Sequence, residues 1–428
     1  MTMPRRVAPQ APTRRGWCPS LARPMPTGDG LLARVHPPLG RLTPRQAEAV
    51  AEAARTYGNG HIDVTARANL QIRGVGEATR AALAKALGAV GLGDVRDDGG
   101  PQRLTLTDPR AGLDADAWID VEGLARAIEA AGVGIAGLPP KTLVAIEARP
   151  GRRDGPGSDA DLRLVAIAPG TLALGLAAEE GSDWFGGIAE GGAPARVASI
   201  LRDFARSGAR RLRDLAPEAR RRLAGELPPA PEPTGGAEAA RPGLARAGEG
   251  LTLALDAPFG RCTADALLQL ACWAARLGGD AIRLSASRGF VLTTRDEAAA
   301  RAASEALAGH GFVLAPDDPR GAVAACPGAP ACASGTTATL PDAAQLAEAF
   351  RPFAARGLRA HVSGCAKGCA HLAPSDLTLV GEGGAYGIVL RGGPDALPAI
   401  RMTFEAALDR VRRADATLPL DQAFRTPS

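Results

Sequence analysis

Gly30-Leu31-Leu32-Ala33-Arg34-Val35-His36-Pro37-Pro38-Leu39-Gly40-Arg41-Leu42-Thr43 opens a segment that the chain uses twice. Shifted by 220 residues, Gly30-Leu31 becomes Gly250-Leu251, Pro38 becomes Pro258, Gly40-Arg41 becomes Gly260-Arg261 and Thr43 becomes Thr263. Gly58 then meets Gly278, Ile62 meets Ile282, and Thr65-Ala66 meets Ser285-Ala286. The register runs for about 45 residues without a gap and keeps punctuating residues as well as apolar ones. Two unrelated α+β units would not share both helix boundaries, so the pattern marks an internal duplication.

Each copy reads as β-α-β-β-α. Residues 31–35 form an apolar strand. Thr43 is a good N-cap and Pro44 a good first helical residue, so a helix runs to about Tyr57 and ends at Gly58-Asn59-Gly60. Residues 62–66 and 70–73 read as strands and 77–90 as a helix. The second copy gives strands over 251–256, 281–286 and 289–293 and helices over 264–277 and 296–309. Between the copies, 104–107, 142–148, 162–168 and 171–177 read as strands, 121–131 and 195–215 as helices, and 151–158 as a hairpin loop. The arginines of 195–215 read as a solvated face. After the second copy come a helix over 341–355, strands over 359–362, 377–380 and 386–390, and a helix over 396–414. The expected organisation is a half-domain at 17–92, a larger α+β domain at 93–224, a Pro-rich linker at 225–248, a second half-domain at 249–315 and a second larger domain at 316–428.

Four of the seven cysteines fall in the last of these, as Cys326-Pro-Gly-Ala-Pro-Ala-Cys332 and Cys365-Ala-Lys-Gly-Cys369. Four thiolates are the ligand set of a [4Fe-4S] cluster, and the small neighbours let backbone N–H groups approach its sulfides. Structural zinc favours shorter spacings, disulfides need an oxidising compartment, and buried free thiols are the bland reading. Cys262 and Cys272 read as core packing, and Cys18 lies in a turn, Gly16-Trp17-Cys18-Pro19-Ser20.

A chain of 428 residues with 46% hydrophobic and 22% charged residues builds several ordinary cores. A net charge of +4 argues against a dedicated nucleic-acid binder. The Arg- and Pro-rich residues 1–16 read as disordered and carry no apolar signal core, and no long apolar run predicts a membrane span, so a cytoplasmic location is expected.

Two α+β halves with C-x5-C and C-x3-C only in the second resemble the sirohaem-dependent sulfite and nitrite reductase superfamily, over about residues 17–415. That resemblance implies an α+β fold with pseudo-twofold duplication, two ferredoxin-like half-domains and two larger α+β domains. The reductases carry Cys-Pro-Asn-x-Cys, whereas this chain has Cys365-Ala366-Lys367-Gly368-Cys369-Ala370-His371. With Gly16-Trp17-Cys18-Pro19-Ser20 and Met25-Pro26-Thr27-Gly28-Asp29-Gly30, this variant is similar to the precorrin-3B synthase family. A Leu-Pro-x-Lys-x-Lys segment, which holds the small oxyanion in the reductases, here reads Leu138-Pro139-Pro140-Lys141-Thr142-Leu143, so the second lysine is missing. His36 in Arg34-Val35-His36 stands where an arginine is expected.

The resemblance implies O2-dependent hydroxylation of precorrin-3A at C20 with γ-lactone formation, in aerobic cobalamin biosynthesis. It implies a [4Fe-4S] cluster on Cys326, Cys332, Cys365 and Cys369, and a non-haem iron in place of sirohaem. Arg67, Asn69, Gln71 and Arg73 match a segment that contacts the macrocycle's acid groups, and Lys141, Arg34 and Arg288 are further cations for its carboxylate rim. Arginine's planar fork suits such a rim, though a single arginine at a strand end is often only a surface charge. No Gly-x-Gly-x-x-Gly follows a strand, so NADH is expected to act through a separate reductase. A facial iron triad needs two His and a carboxylate; His371 is the candidate ligand, with His361 and His36 behind it. Two other readings are a true sirohaem-dependent sulfite or nitrite reductase, and a zinc-stapled binding protein without redox chemistry.

Overall fold

The computed structural model describes residues 16–113, 117–150, 157, 159–235 and 240–424, and the statements below concern those residues. Residues 1–15 of the tail expected to be disordered lie outside them.

The first copy comprises β1 (Met25–Thr27), β2 (Gly30–Val35), β3 (Arg41–Leu42), α1 (Pro44–Tyr57), β4 (His61–Val64), β5 (Leu70–Val75) and α2 (Arg80–Gly88). Thr43 and Gln46 close a reciprocal capping box on α1, so the helix starts where the sequence signals it. Then follow β6 (Thr105–Thr107), α3 (Val121–Val133), β7 (Val144–Glu147), β8 (Leu162–Ala168), β9 (Thr171–Ala177), β10 (Ser182–Ala189), α4 (Ala193–Ser207) and α5 (Pro217–Ala224). The second copy is β11 (Gly243–Ala247), β12 (Gly250–Asp256), β13 (Arg261–Thr263), α6 (Ala264–Arg276), β14 (Ile282–Ser285), β15 (Gly289–Thr294) and α7 (Glu297–Gly309). The chain finishes with β16 (Val323–Ala325), α8 (Thr339–Ala354), β17 (Ala360–Ser363), β18 (Ser375–Glu382), β19 (Ala385–Gly392), β20 (Ile400–Met402) and α9 (Phe404–Arg413).

The duplication is visible in backbone geometry. Leu39 and Phe259 both take positive φ (52° and 57°), as do Gly40 and Gly260, and Ala68 and Arg288, each pair 220 residues apart. The two half-domain sheets run β1-β2-β5-β4-β13 and β11-β12-β15-β14-β3. Each is therefore completed by a short strand from the other copy. β13 pairs with β4, β3 pairs with β14, and α1 packs on α6, so one core spans both copies. The larger domains repeat as well. In each sheet three parallel strands are followed by two antiparallel ones, β6-β7-β8-β9-β10 and β16-β17-β18-β19-β20.

Several expectations need correcting. β7 and β8 pair in parallel, so the segment joining them is a crossover and not a hairpin; most of 151–158 itself lies outside the described residues. The helix expected over 195–215 stops at Ser207, because Gly208 turns left-handed at φ 69°. The helix expected from 396 starts only at Phe404, capped by Thr403, since Ile400–Met402 pairs as β20. The linker expected over 225–248 ends in β11, an edge strand equivalent to β1. α2 begins at Arg80, three residues later than expected. β10 and β16 were not anticipated.

Candidate metal centre and its polar flank

β16 and β17 are parallel neighbours, so the loops that follow them leave on the same edge of the sheet. Those loops carry Cys326 and Cys365. The Gly364 amide donates to the Cys326 sulfur at 3.2 Å, and the Thr339 hydroxyl donates to the Cys326 carbonyl. Lys367 reaches the opposite loop, donating to Ser334 Oγ at 3.2 Å. The loops close backbone on backbone. A Cβ on Gly364 would lie 3.2 Å from the Gly328 Cα and 3.3 Å from the Gly335 Cα, and one on Gly328 would lie 2.3 Å from Thr339 Oγ1. None of the seven cysteines is in a disulfide.

The four thiols are electrostatic neighbours. Burial pushes the Cys369 thiol up to about 11, and Cys326, Cys365 and Cys332 push the same way, although the residue as a whole is exposed. Burial also raises Cys365, with the Lys367 amide opposing. Four such sulfurs ionise together only around a positive centre. Among the described residues no three His, Cys, Asp or Glu side chains close on one metal ion. The mutual influence of the four sulfurs places them near one another, and four neighbouring thiolates are a donor set that suits an iron–sulfur cluster. His371 meets His361 edge to face, with ring centroids 5.9 Å apart, but no third ligand joins them, so no facial triad is formed among the described residues. His361 is fully buried with both ring nitrogens unpartnered. Burial, then His371 and Arg288, holds its imidazole down to about 3.

The first half-domain sheet has one apolar face, with Ala33, Val35, Ile62, Val64, Leu70 and Ile72 in the core beside α1. Alternation puts Arg34, His36, His61, Asp63, Asn69, Gln71 and Arg73 on the other face. Arg34 and Gln71 are direct cross-strand partners, and the Gln71 amide oxygen, oriented by this network, accepts from Arg34 Nη2 at 2.7 Å. Several atoms here are buried without a partner: His36 Nδ1, His61 Nδ1, Asn69 Oδ1 and Arg261 Nη2. Orphaned polar atoms concentrated on one face are what a polar ligand would satisfy. Burial, with Arg34 and Arg103 nearby, holds the His36 imidazole well below its ordinary range.

The predicted site residues fare differently. Arg67, a quarter exposed, donates from Nη1 to the Lys141 backbone carbonyl at 2.9 Å and has Nη2 at 3.6 Å from the Asp159 carboxylate, so Lys141 adjoins it in the chain's fold. Leu143 is 2% exposed in the core, so the position of the missing lysine faces apolar side chains. Arg73 requires a correction. Its guanidinium is only 3% exposed and is filled by protein oxygens: Asp29 at 2.8 and 2.9 Å, Asp63 at 3.2 Å and the Ala331 carbonyl at 2.5 Å. It has no free fork for a substrate carboxylate. Burial lowers the Arg34 pKa, and Cys18, which lies beside the guanidinium, opposes that shift. Arg288 donates to the Ala370 carbonyl, beside Cys369, and senses Asp63, Cys326 and Cys369 electrostatically, so the polar face adjoins the cysteine loops.

Arg103 was missed. It is buried, donates to the carbonyls of Pro37, Arg67 and Ala68, and braces the positive-φ turn that presents Arg67. Burial pushes it down to about 10. Its contacts lie far away in sequence, and Pro-Gln-Arg-Leu holds no local signal for them.

Comparison with known proteins agrees with this architecture. Residues 23–90 match the nitrite/sulfite reductase ferredoxin-like half-domain family. A precorrin-3B synthase from Sinorhizobium sp. is 38% identical over 407 residues, covering 91% of this chain and 85% of that protein. A ferredoxin–nitrite reductase from Synechococcus elongatus is 33% identical over 187 residues, 41% of this chain and 34% of that protein. The solved Mycobacterium tuberculosis NirA protein shares the fold at a TM-score of 0.73 and 21% identity, covering 90% of this chain and 80% of its own. Among the described residues no helix is long and apolar enough to cross a membrane. With 38% identity to a precorrin-3B synthase over 91% of its length, the chain belongs to the precorrin-3B synthase family, within the nitrite/sulfite reductase superfamily.

Proposed function

We propose that the chain hydroxylates precorrin-3A at C20 with O2 while a ring-A acetate closes a γ-lactone, NADH supplying electrons through a separate reductase. One observation carries this reading. The two copies share strand register, so Arg34↔Gln71 in the first corresponds to Ala254↔Val291 in the second. Where the first copy has Arg34, Arg67, Asn69 and Gln71, the second has Ala254, Ser287, Gly289 and Val291. Both sets sit on the same strand frame, so that frame does not by itself require the first copy's cationic and amide-bearing set.

Arg67, Arg34 and the adjoining Lys141 would hold carboxylates of a polyacid ring, with Asn69 and Gln71 adding neutral hydrogen bonds. Cys326, Cys332, Cys365 and Cys369 would hold a [4Fe-4S] cluster, which when bound supplies electrons singly. Two electrons and two protons reduce one oxygen atom of O2 to water, and the other enters the product. The buried Leu143 removes a cation that a sulfite or nitrite site requires, which weighs against the reductase alternative.

The test is aerobic incubation of anaerobically prepared protein with precorrin-3A, NADH and a reductase. A product heavier by one oxygen atom, labelled from 18O2, is expected. Sulfite or nitrite turnover together with a sirohaem spectrum, and no oxygenated product, would overturn the reading.

A further inference from the structure

The loop that carries Cys332 is gripped from the other end of the chain. The carbonyl of Ala331, the residue just before Cys332, accepts from Arg73 Nη2 at 2.5 Å and from the Gly28 amide at 3.1 Å. Gly28 touches this loop so closely that a Cβ there would lie 2.1 Å from the Pro330 oxygen and 3.1 Å from the Ala333 nitrogen. Arg73 is itself held rigidly. Asp29 takes its Nε and Nη2, and Asp63 takes its Nη1. Asp29 is fixed by Thr27 at 2.8 Å and Asn59 at 3.1 Å, and Asp63 by Arg261 of the second copy at 2.6 Å. The Asp29 carboxyl lies below its ordinary range through its Arg73 contacts, against the opposing effect of burial.

We propose that Arg73 and Gly28 are positioning residues for the Cys332 ligand. The first half-domain, which contributes no cysteine to the quartet, sets the position of one of its four sulfurs. Residues that orient a ligand from behind commonly change metal affinity as strongly as some ligands do. The orientation argument is geometric. Arg73 lies in the sequence segment matched to substrate acid groups, yet all three of its nitrogens face protein oxygens, one of them on the cysteine loop. This inference rests on the proposal that Cys326, Cys332, Cys365 and Cys369 hold a cluster.

The experiment compares wild type, Arg73→Lys, Arg73→Met, Gly28→Ala and Arg220→Met after anaerobic reconstitution with iron and sulfide. Iron and sulfide per chain, the EPR spectrum of the dithionite-reduced protein and loss of colour under a chelator are measured, with circular dichroism and a thermal melt as fold controls. Arg73→Met and Gly28→Ala are expected to lose the cluster about tenfold faster than wild type and to shift its EPR g-values, with Arg73→Lys intermediate. Arg220→Met, which removes a buried arginine bound to Asp183 in the first larger domain and outside the clamp, is expected to lower the melting temperature and leave the g-values unchanged. Wild-type colour loss and g-values in folded Arg73→Met and Gly28→Ala would overturn the clamp and leave the cluster assignment standing. A wild-type protein that takes up no iron would overturn the assignment on which the clamp rests.

Discussion

The amide of Gly364 donates to the sulfur of Cys326 across 3.2 Å, joining the loops that leave two neighbouring parallel strands. A methyl group at Gly364 would meet two glycine Cα atoms at 3.2 and 3.3 Å and the sulfur at 3.6 Å. Those neighbours are backbone and yield little. Gly364→Ala is therefore expected to weaken cluster retention about 10- to 100-fold, read as iron and sulfide content after anaerobic isolation. A brown, fully loaded variant would show that the loops need no such closeness.

Arg67 and Ser287 occupy equivalent places in the two copies, so the chain contains its own control. A charge-assisted hydrogen bond is worth about 1.5–3 kcal/mol, so Arg67→Ala is expected to weaken binding of a polycarboxylated tetrapyrrole about 10- to 100-fold. Ser287→Ala should leave affinity unchanged. Fluorescence quenching titration separates the two, and equal losses would refute an asymmetric site.

Leu143 stands where the resemblance to the reductases leads one to expect a second lysine, and its side chain is in the core. Leu143→Lys is expected to bury an unpaired ammonium and destabilise the fold by about 3 kcal/mol or more, without conferring sulfite or nitrite reduction. Chemical denaturation and a reductase assay check both halves of that statement.

Asp256 titrates unusually. Burial raises its carboxyl to about 6, with Ser287 and Arg359 opposing. The folded value lies above the unfolded value, so the protein gains most from this group below about pH 4 and loses that gain as pH rises from about 4 to 6. The loss is on the order of 3 kcal/mol. Asp256→Asn should flatten this part of the stability–pH curve measured by urea denaturation. An unchanged slope would mean that the carboxyl titrates normally.

The sequence by itself determined what short-range chemistry encodes. Thr43, Pro44 and Gln46 fixed the start of α1 because a capping box lies within four residues. The repeated Gly40-Arg41 and Gly260-Arg261 fixed the duplication, and the two cysteine pairs fixed the candidate cluster ligands. Only the tertiary structure decided that β3 and β13 exchange between copies, since strands this short carry no periodicity and their partners are chosen by the opposite sheet edge. It also decided that Arg73 faces Asp29, Asp63 and Ala331, whereas Arg67 remains partly open. Both arginines lie in one seven-residue run of similar local character. What separates them is how completely distant oxygens enclose each fork: Arg73 meets Asp29, Asp63 and the Ala331 carbonyl, 10 to 258 residues away, whereas Arg67 meets the Lys141 carbonyl and, at 3.6 Å, Asp159, and such long-range pairing leaves no mark on the sequence around either one.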